Sequence, residues 1–448
     1  MRDEKKTLSL LKHLGEQLRA DTFKKAHRVG DHHFTRERTF NFSTVMLTIL
    51  NQLSKSLSVE LTKFLQRFGG GKMGSKQAFS KARYQIGWEA FEALNNTFVT
   101  DFYQIEPQTV QRWKDLWLLL ATDGSDYELP WEASLRHAFG VVDNGQGRKP
   151  LCMAKGVKIW DVLNHLTISA ELGHYDRAEL LHFKTAWDKG ATLLKKAAPD
   201  VRRLLLADRH YPAFWLIEQL QSEGTDFLFR CPPTFCRESE AFIQSAQSEG
   251  WLTIPIASDA HRRSKWKQQS ARKAPEAIRF RILRAEAPNG EPFCLITSLN
   301  QEEATRPELL ALYPERWGAE VAFFFDKARF QVENFAARKP NGIRQEWYAQ
   351  LLAANLAQLF IQDAQELLDE EQQTKNNKHR YQINRSVAIG ILKDELPSLV
   401  AGREIPEEFY ARILPLILAH REPVRKNRSF KRERKHKLKF SKNLRSVF

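Results

Sequence analysis

The sequence is poor in cysteine, with four in 448 residues. Cys152, Cys231, Cys236 and Cys294 are scattered along it, which argues against a disulfide framework and for a reducing compartment. Cys231 and Cys236 stand close together, but no second pair follows at metal spacing, so a structural zinc site is not expected. Long apolar runs are also missing. None approaches the roughly 20 residues that a membrane-spanning helix needs, and the first residues lack the apolar stretch of a signal peptide. The expectation is a cytoplasmic chain with no membrane partner. An acidic surplus is absent too: Lys and Arg number 69 against 54 Asp and Glu, a formal charge of +15. A basic excess of that size favours a polyanion, above all nucleic acid. What the chain does have is 42% hydrophobic and 11% aromatic residues, enough for large packed cores and against disorder.

Along the chain the pattern changes several times. Residues 1–110 show apolar residues at helical spacing, as in "LSLLKHLGEQLRADTF" and "FNFSTVMLTILNQLSKSLSVELTKFLQRF". A glycine turn at 69–71 and Ser75 as a cap precede a basic helix with Lys76, Lys81 and Arg83, a candidate DNA-contacting module. From about 113 buried strands alternate with helices, so 111–230 reads as an α/β domain with a mixed sheet. Residues 231–300 are strand-rich and interrupt it. Amphipathic helices return after 300, and 366–448 form a helical region with a polybasic tail suited to binding phosphates through counterion release.

Two acids stand where apolar strands stop. "LWLLLATDG" reads as a strand closed by Asp123 and a turn at Gly124, and "VRRLLLADRHY" as a strand closed by Asp208. An acid directly after such a run is costly unless it reaches solvent, a donor or a metal. If the strands are neighbours, both carboxylates emerge at one sheet edge, where α/β sheets place their ligands.

A third acid lies in "LYPERWGAEVAFFFDK", residues 312–327. Read as one α-helix, the offsets of Arg316, Glu320 and Lys327 from Tyr313 fall at about 300°, 340° and 320°, on a single stripe. Ala319, Val321, Ala322, Phe325 and Phe330 occupy the flanks and suit a core. Glu320 and Lys327 are about 10 Å apart along the axis, too far to pair and right for gripping an extended anion. Three converging carboxylates in a basic protein suit two Mg²⁺ or Mn²⁺ ions, which share phosphate oxygens with a substrate.

This set resembles the DDE transposases of bacterial insertion sequences, in the IS-four-like branch marked Y-x2-R-x3-E-x6-K. The resemblance rests on "TDGS" around Asp123, "LLLADRHY" around Asp208, and Tyr313, Arg316, Glu320 and Lys327 at that spacing. Trp317 and "IRQEWYAQLLAANL" also look like the family, over roughly 110–365. His210 stands where the family often has Gly, and Ala319 where Ile commonly precedes the Glu. The resemblance implies an RNase H-like catalytic core over 111–230 and 301–365, with 231–300 as a β-rich insertion. It implies that Asp123, Asp208 and Glu320 hold two Mg²⁺ (or Mn²⁺) ions, with Tyr313, Arg316, Lys327 and, more weakly, Arg209 on the DNA backbone. The implied activity is cleavage at transposon-end inverted repeats and strand transfer into target DNA, by a homodimer associated with the nucleoid. Some members pass through a hairpin that needs an aromatic to stack a flipped base. Phe293 is the candidate here, with Trp251 or Trp266 behind it. Two other readings stay open: a related nuclease that does not join DNA, and a domesticated DNA-binding protein without chemistry.

Overall fold

The computed structural model describes residues 2–424, except 37, 52–55, 69–72, 144, 146–148, 233, 246, 288–289, 329–332, 375–378, 394, 396–399, 401 and 403. The glycine turn at 69–71, Phe330 and the polybasic arm from 425 onward therefore lie outside the described residues, as do the side chains of Val321 and Phe325. The architecture is mixed α/β, with one large mixed sheet and many helices. No described helix is long and apolar enough to cross a membrane.

Six helices come first: α1 (Arg2–Arg19), α2 (Asp21–His27), α3 (Phe42–Leu50), α4 (Leu57–Phe68), α5 (Lys76–Arg83) and α6 (Glu89–Gln104). Ser75 caps α5, its hydroxyl accepting from the Ala78 N–H at 3.2 Å. Lys76 and Lys81 are exposed, but Arg83 is not. Its guanidinium donates to Gln345 Oε1 at 3.1 Å, Glu346 Oε1 at 2.8 Å and the Gly342 carbonyl at 3.1 Å. Arg83 is therefore a buried tie to α14 (Pro340–Gln373) and not a surface cation, because at 2% exposure its guanidinium faces a carboxylate and two further acceptors inside the protein.

The sheet starts with β1 (Trp117–Leu129), followed by α7 (Ala133–Phe139), β2 (Val141–Val142), β3 (Leu151–Asp161) and β4 (Leu166–His174). Next come α8 (Glu179–Ala197), β5 (Arg202–Ala207), α9 (Phe214–Ser222) and β6 (Thr225–Cys231). Residues 231–300 add α10 (Arg237–Gln244), β7 (Glu249–Pro255), α11 (Ala260–Gln269), β8 (Ala277–Glu286) and β9 (Pro292–Thr297). The strand order is β2-β3-β1-β5-β6-β9-β8-β7, with β4 also on β3. Among the described strands, only the β1–β5 and β5–β6 pairs are parallel.

Period two along the strands divides side chains between two cores. Leu118, Leu120, Leu205, Phe227 and Phe229 enter a large core shared with α6, α8, α9 and α14. Trp117, Leu119, Ala121, Trp160, Leu204, Leu206 and Leu228 enter a smaller core on the other face. That face is covered by α12 (Arg306–Leu312), a 3₁₀ turn (Tyr313–Arg316) and α13 (Trp317–Ala328), through Leu309, Leu312, Ala319 and Ala322. The continuous run Leu204–Leu206 is what a strand buried on both faces requires.

Within α14, Asn355 serves β4 where the sheet ends. Its Oδ1 accepts from the Thr167 N–H at 2.8 Å, and its Nδ2 donates to the Thr167 carbonyl at 2.9 Å. The chain continues with β10 (Tyr381–Ile383), α15 (Arg385–Lys393), α16 (Pro406–Ala419) and β11 (Arg421–Pro423), with β10 and β11 paired. Asp363 on α14 joins both ends of the chain, accepting from Thr7 at 2.8 Å and Tyr410 at 3.0 Å.

Candidate active site

Asp123 does not close a strand. β1 runs on through Gly124 to Leu129, still paired with β3, and Asp123 lies opposite Lys158. What ends there is the parallel partner. The β1–β5 ladder stops at Ala121 and Leu206, so Asp123 and Asp208 follow at matching positions beyond it. Continuing the alternation of 117, 119 and 121, and of 204 and 206, both carboxylates belong to the face of the smaller core. That is the face under α13, which carries Glu320. The structure thus brings Asp123 and Asp208 to one edge and Glu320 above the same face.

Each acid is engaged by the protein itself. Asp123 Oδ1 accepts from the Gly124 N–H at 2.9 Å. Asp208 accepts from the His210 N–H at 2.8 Å and faces His210 Nδ1 at 3.0 Å. Glu320 accepts from Arg316 at 2.8 Å. Among the described residues no three His, Cys, Asp or Glu side chains stand close enough together to hold one metal ion. The electrostatics nonetheless join the acids. Burial pushes the Asp123 carboxyl up to about 7; the Gly124 N–H opposes this, Glu179 and Glu320 add to it, and Arg316 offsets part.

The stripe of Tyr313, Arg316, Glu320 and Lys327 is not one α-helix. Pro314 opens a 3₁₀ turn over Tyr313–Arg316, and α13 starts only at Trp317. At three residues per turn Tyr313 and Arg316 eclipse, and Arg316 lies 6.0 Å from the Tyr313 ring. Arg316 is buried and Tyr313 half-buried. Burial raises the Tyr313 hydroxyl, with Arg316 and Arg230 opposing and Asp208 reinforcing the shift. Lys327, near the end of α13, reaches β1 further along, donating to the Asp126 carbonyl, 3.8 Å from Glu333 and 4.7 Å from the Tyr127 ring. Arg209 is exposed beside Asp208.

Phe293 opens β9 on the same face, half-buried against the smaller core. Trp266 is a core residue, 3% exposed, its Nε1 donating to the Arg272 carbonyl at 2.9 Å. That burial rules it out as a surface for stacking a base. Trp251 is exposed but lies on β7, four strands from β5, roughly 19 Å across the sheet.

Three residues at this edge escaped sequence reading. Glu179 reaches it from the opposite face through the gap left by Gly124. A Cβ at 124 would lie 2.4 Å from the Glu179 carboxyl, which is also held by the buried Tyr211 hydroxyl at 2.8 Å. Lys158 is 2% exposed, opposite Asp123 and 4.9 Å from the Phe323 ring. Arg230 lies at the end of β6. The signal for the last two was present, a basic residue within or ending an apolar strand, but only the register gives it meaning.

A comparison with curated proteins finds no match. Among solved structures the chain is similar to one described as the cryo-EM structure of a piggyBac transposase synaptic complex with hairpin DNA, at 10% identity and a TM-score of 0.43. The alignment covers 92% of this chain and 82% of that one. Residues 143–356, which include Asp208, Arg316 and Glu320 and begin downstream of Asp123, match the family model described as the transposase DDE domain. That match supports a DDE transposase.

Proposed function

We propose that the chain is an insertion-sequence transposase of the IS-four-like branch, with Tyr313, Arg316, Glu320 and Lys327 as the Y-x2-R-x3-E-x6-K signature. In this reading 111–230 and 301–365 form an RNase H-like catalytic core and 231–300 its β-rich insertion. Residues 1–110 bind DNA, and 366–448 are the helical region with the basic tail. The observation that carries it is the placement of Asp123 and Asp208 at matching positions on one face of the parallel β1–β5 pair, with Glu320 on the helix over that face.

Asp123, Asp208 and Glu320 would hold two divalent cations, Mg²⁺ or Mn²⁺. The donors fit, being carboxylate oxygens, and the raised Asp123 carboxyl beside Glu179 and Glu320 is a place where positive charge is favoured. Such ions, when bound, activate the attacking oxygen and stabilise the leaving one. The chain's own residues do the rest. Release of Glu320 from Arg316 frees a planar guanidinium for a phosphate oxygen. Release of Asp208 from His210 frees its second oxygen. The smaller core keeps water from the buried side of Arg316 and Tyr313. Strand cleavage at the transposon ends and joining to target DNA then use one acidic edge twice, in a homodimer acting at the nucleoid.

The test is cleavage of DNA bearing the element's own terminal inverted repeats, with Mg²⁺ or Mn²⁺, followed by a strand-transfer assay. Cleaved ends joined to target DNA are expected. Cleavage without joining indicates the nuclease, and tight binding without cleavage under any divalent ion indicates a DNA-binding relative without chemistry.

A further inference from the structure

The acidic edge has a cationic neighbour that no part of the DDE set includes. β5 and β6 are parallel, with Ala207 opposite Phe229, so Arg230 follows at the position matching Asp208. Leu228, two residues earlier, is in the smaller core, so Arg230 projects from the same face as Asp123 and Asp208. Read across the sheet, that face presents Lys158, Asp123, Asp208 and Arg230 in successive strands. Arg230 and Asp208 both act electrostatically on Tyr313, which puts the three around one point.

Arg230 is half-buried, and its guanidinium carbon lies 4.6 Å from the centroid of the Phe293 ring. Among the described residues it makes no hydrogen bond or ion pair, so its planar fork has its donors available. Phe293 packs against the smaller core and carries the guanidinium. Its ring is occupied on that side and serves to orient Arg230. A guanidinium restrained by a ring, beside carboxylates but not paired with them, is built for a group that brings its own negative charge and two oxygens.

We propose that Arg230, held by Phe293, binds a phosphodiester of the DNA strand next to the one being cut. This is a positioning contact beside Asp208, and it rests on the DNA-cleavage reading above. Phosphodiesters suit the site because the fork takes two oxygens in its plane.

The test uses the full chain and a short mixed-sequence duplex. In one arm, phenylglyoxal modification of Arg230 in the wild type is read by mass spectrometry, with and without the duplex. Protection is expected at low salt and its loss at high salt. In the other arm, affinity is measured against salt for the wild type, Arg230→Gln, Arg230→Lys and Phe293→Leu. Arg230→Gln should lose roughly 3- to 10-fold in affinity at low salt, and its log–log salt slope should fall by about one. Arg230→Lys and Phe293→Leu should keep the slope and bind with intermediate affinity. Absence of protection, or an Arg230→Gln slope equal to wild type, overturns the proposal. If Arg230→Gln does not fold, the protection arm on the wild type decides alone. Divalent-dependent cleavage by the wild type, assayed in parallel, separates the two claims. No cleavage with Arg230 protected overturns the enzyme reading and keeps the contact, whereas cleavage with Arg230 unprotected does the reverse.

Discussion

Asp123 and Asp161 belong to the same pair of strands. Asp161 lies opposite Leu120 at one end of the β1–β3 ladder, and Asp123 lies opposite Lys158 three residues further along β1. Burial is the leading cause that raises both carboxyls, to about 6 for Asp161 and about 7 for Asp123. Their surroundings differ completely. Asp161 accepts from the Tyr103 hydroxyl at 2.5 Å, the Asn164 N–H at 3.1 Å and Asn164 Nδ2 at 2.8 Å, and is fully enclosed. Asp123 accepts one backbone N–H, and Glu179 and Glu320 act on it against Arg316. A buried acid whose oxygens are all filled by neutral donors is structural. One whose nearest unfilled need is positive charge is available for a ligand. Burial does not separate the two cases, but the partners do.

That contrast can be broken experimentally. The largest effect expected is on chemistry. Asp123→Ala, Asp208→Ala or Glu320→Ala should lower divalent-dependent DNA cleavage by on the order of 10³-fold or more. Asp208→Ala should keep the wild-type denaturant midpoint within error, Asp123→Ala should match or exceed it at neutral pH, and Glu320→Ala should lower it by leaving the buried Arg316 without its carboxylate. Substantial residual cleavage by any of the three would remove that residue from the site. Asp161→Ala should do the opposite. It strands the Tyr103 hydroxyl and the Asn164 donors in a closed space, a loss of about 3 kcal/mol in unfolding free energy. Cleavage per folded molecule should not change; a drop comparable to Asp123→Ala would mean that the two acids do not divide as argued.

Tyr103→Phe removes one donor from Asp161 and leaves two, so a loss of about 1 kcal/mol is expected in the same denaturant experiment. The smallest effect concerns pH. The Asp123 carboxyl is raised, so its protonated form favours the fold. That contribution is complete below the ordinary carboxylate range, near 4, and is lost as pH rises through about 7. Asp123→Asn cannot ionise. Its melting temperature should equal wild type near pH 4 and exceed it at pH 8 by about 1–3 °C. Adding Mg²⁺ should narrow the difference by stabilising the wild type alone. A difference that stays constant across pH would deny that ionised Asp123 is held at a cost.

Much of this edge was legible in the chain, because apolar runs fix strands and an acid after a run marks an exit. That logic located β1, β5 and Asp208. It misplaced the end of β1, since a strand that loses one neighbour continues if the other remains, and that β3 is that other neighbour shows only in the pairing. The helix stripe was misread at Pro314, whose preference for the first position of a turn was available in the sequence. Arg83 looked like a surface cation because its partners lie some 260 residues away on α14. Lys158 and Arg230 gain meaning only from register, which sets which residues of distant strands share a face.

The strand β1 outlasts β5 at the acidic edge, and this makes the two aspartates mechanically unlike. Asp123 hangs from a backbone still laced to β3 on its far side. Asp208 sits on the first residue of a loop, steadied by its own neighbour His210. The edge is a vice with one jaw bolted to the bench and the other on a screw: in the proposed reading, a cation clamped there would be located by Asp123 and tightened by Asp208.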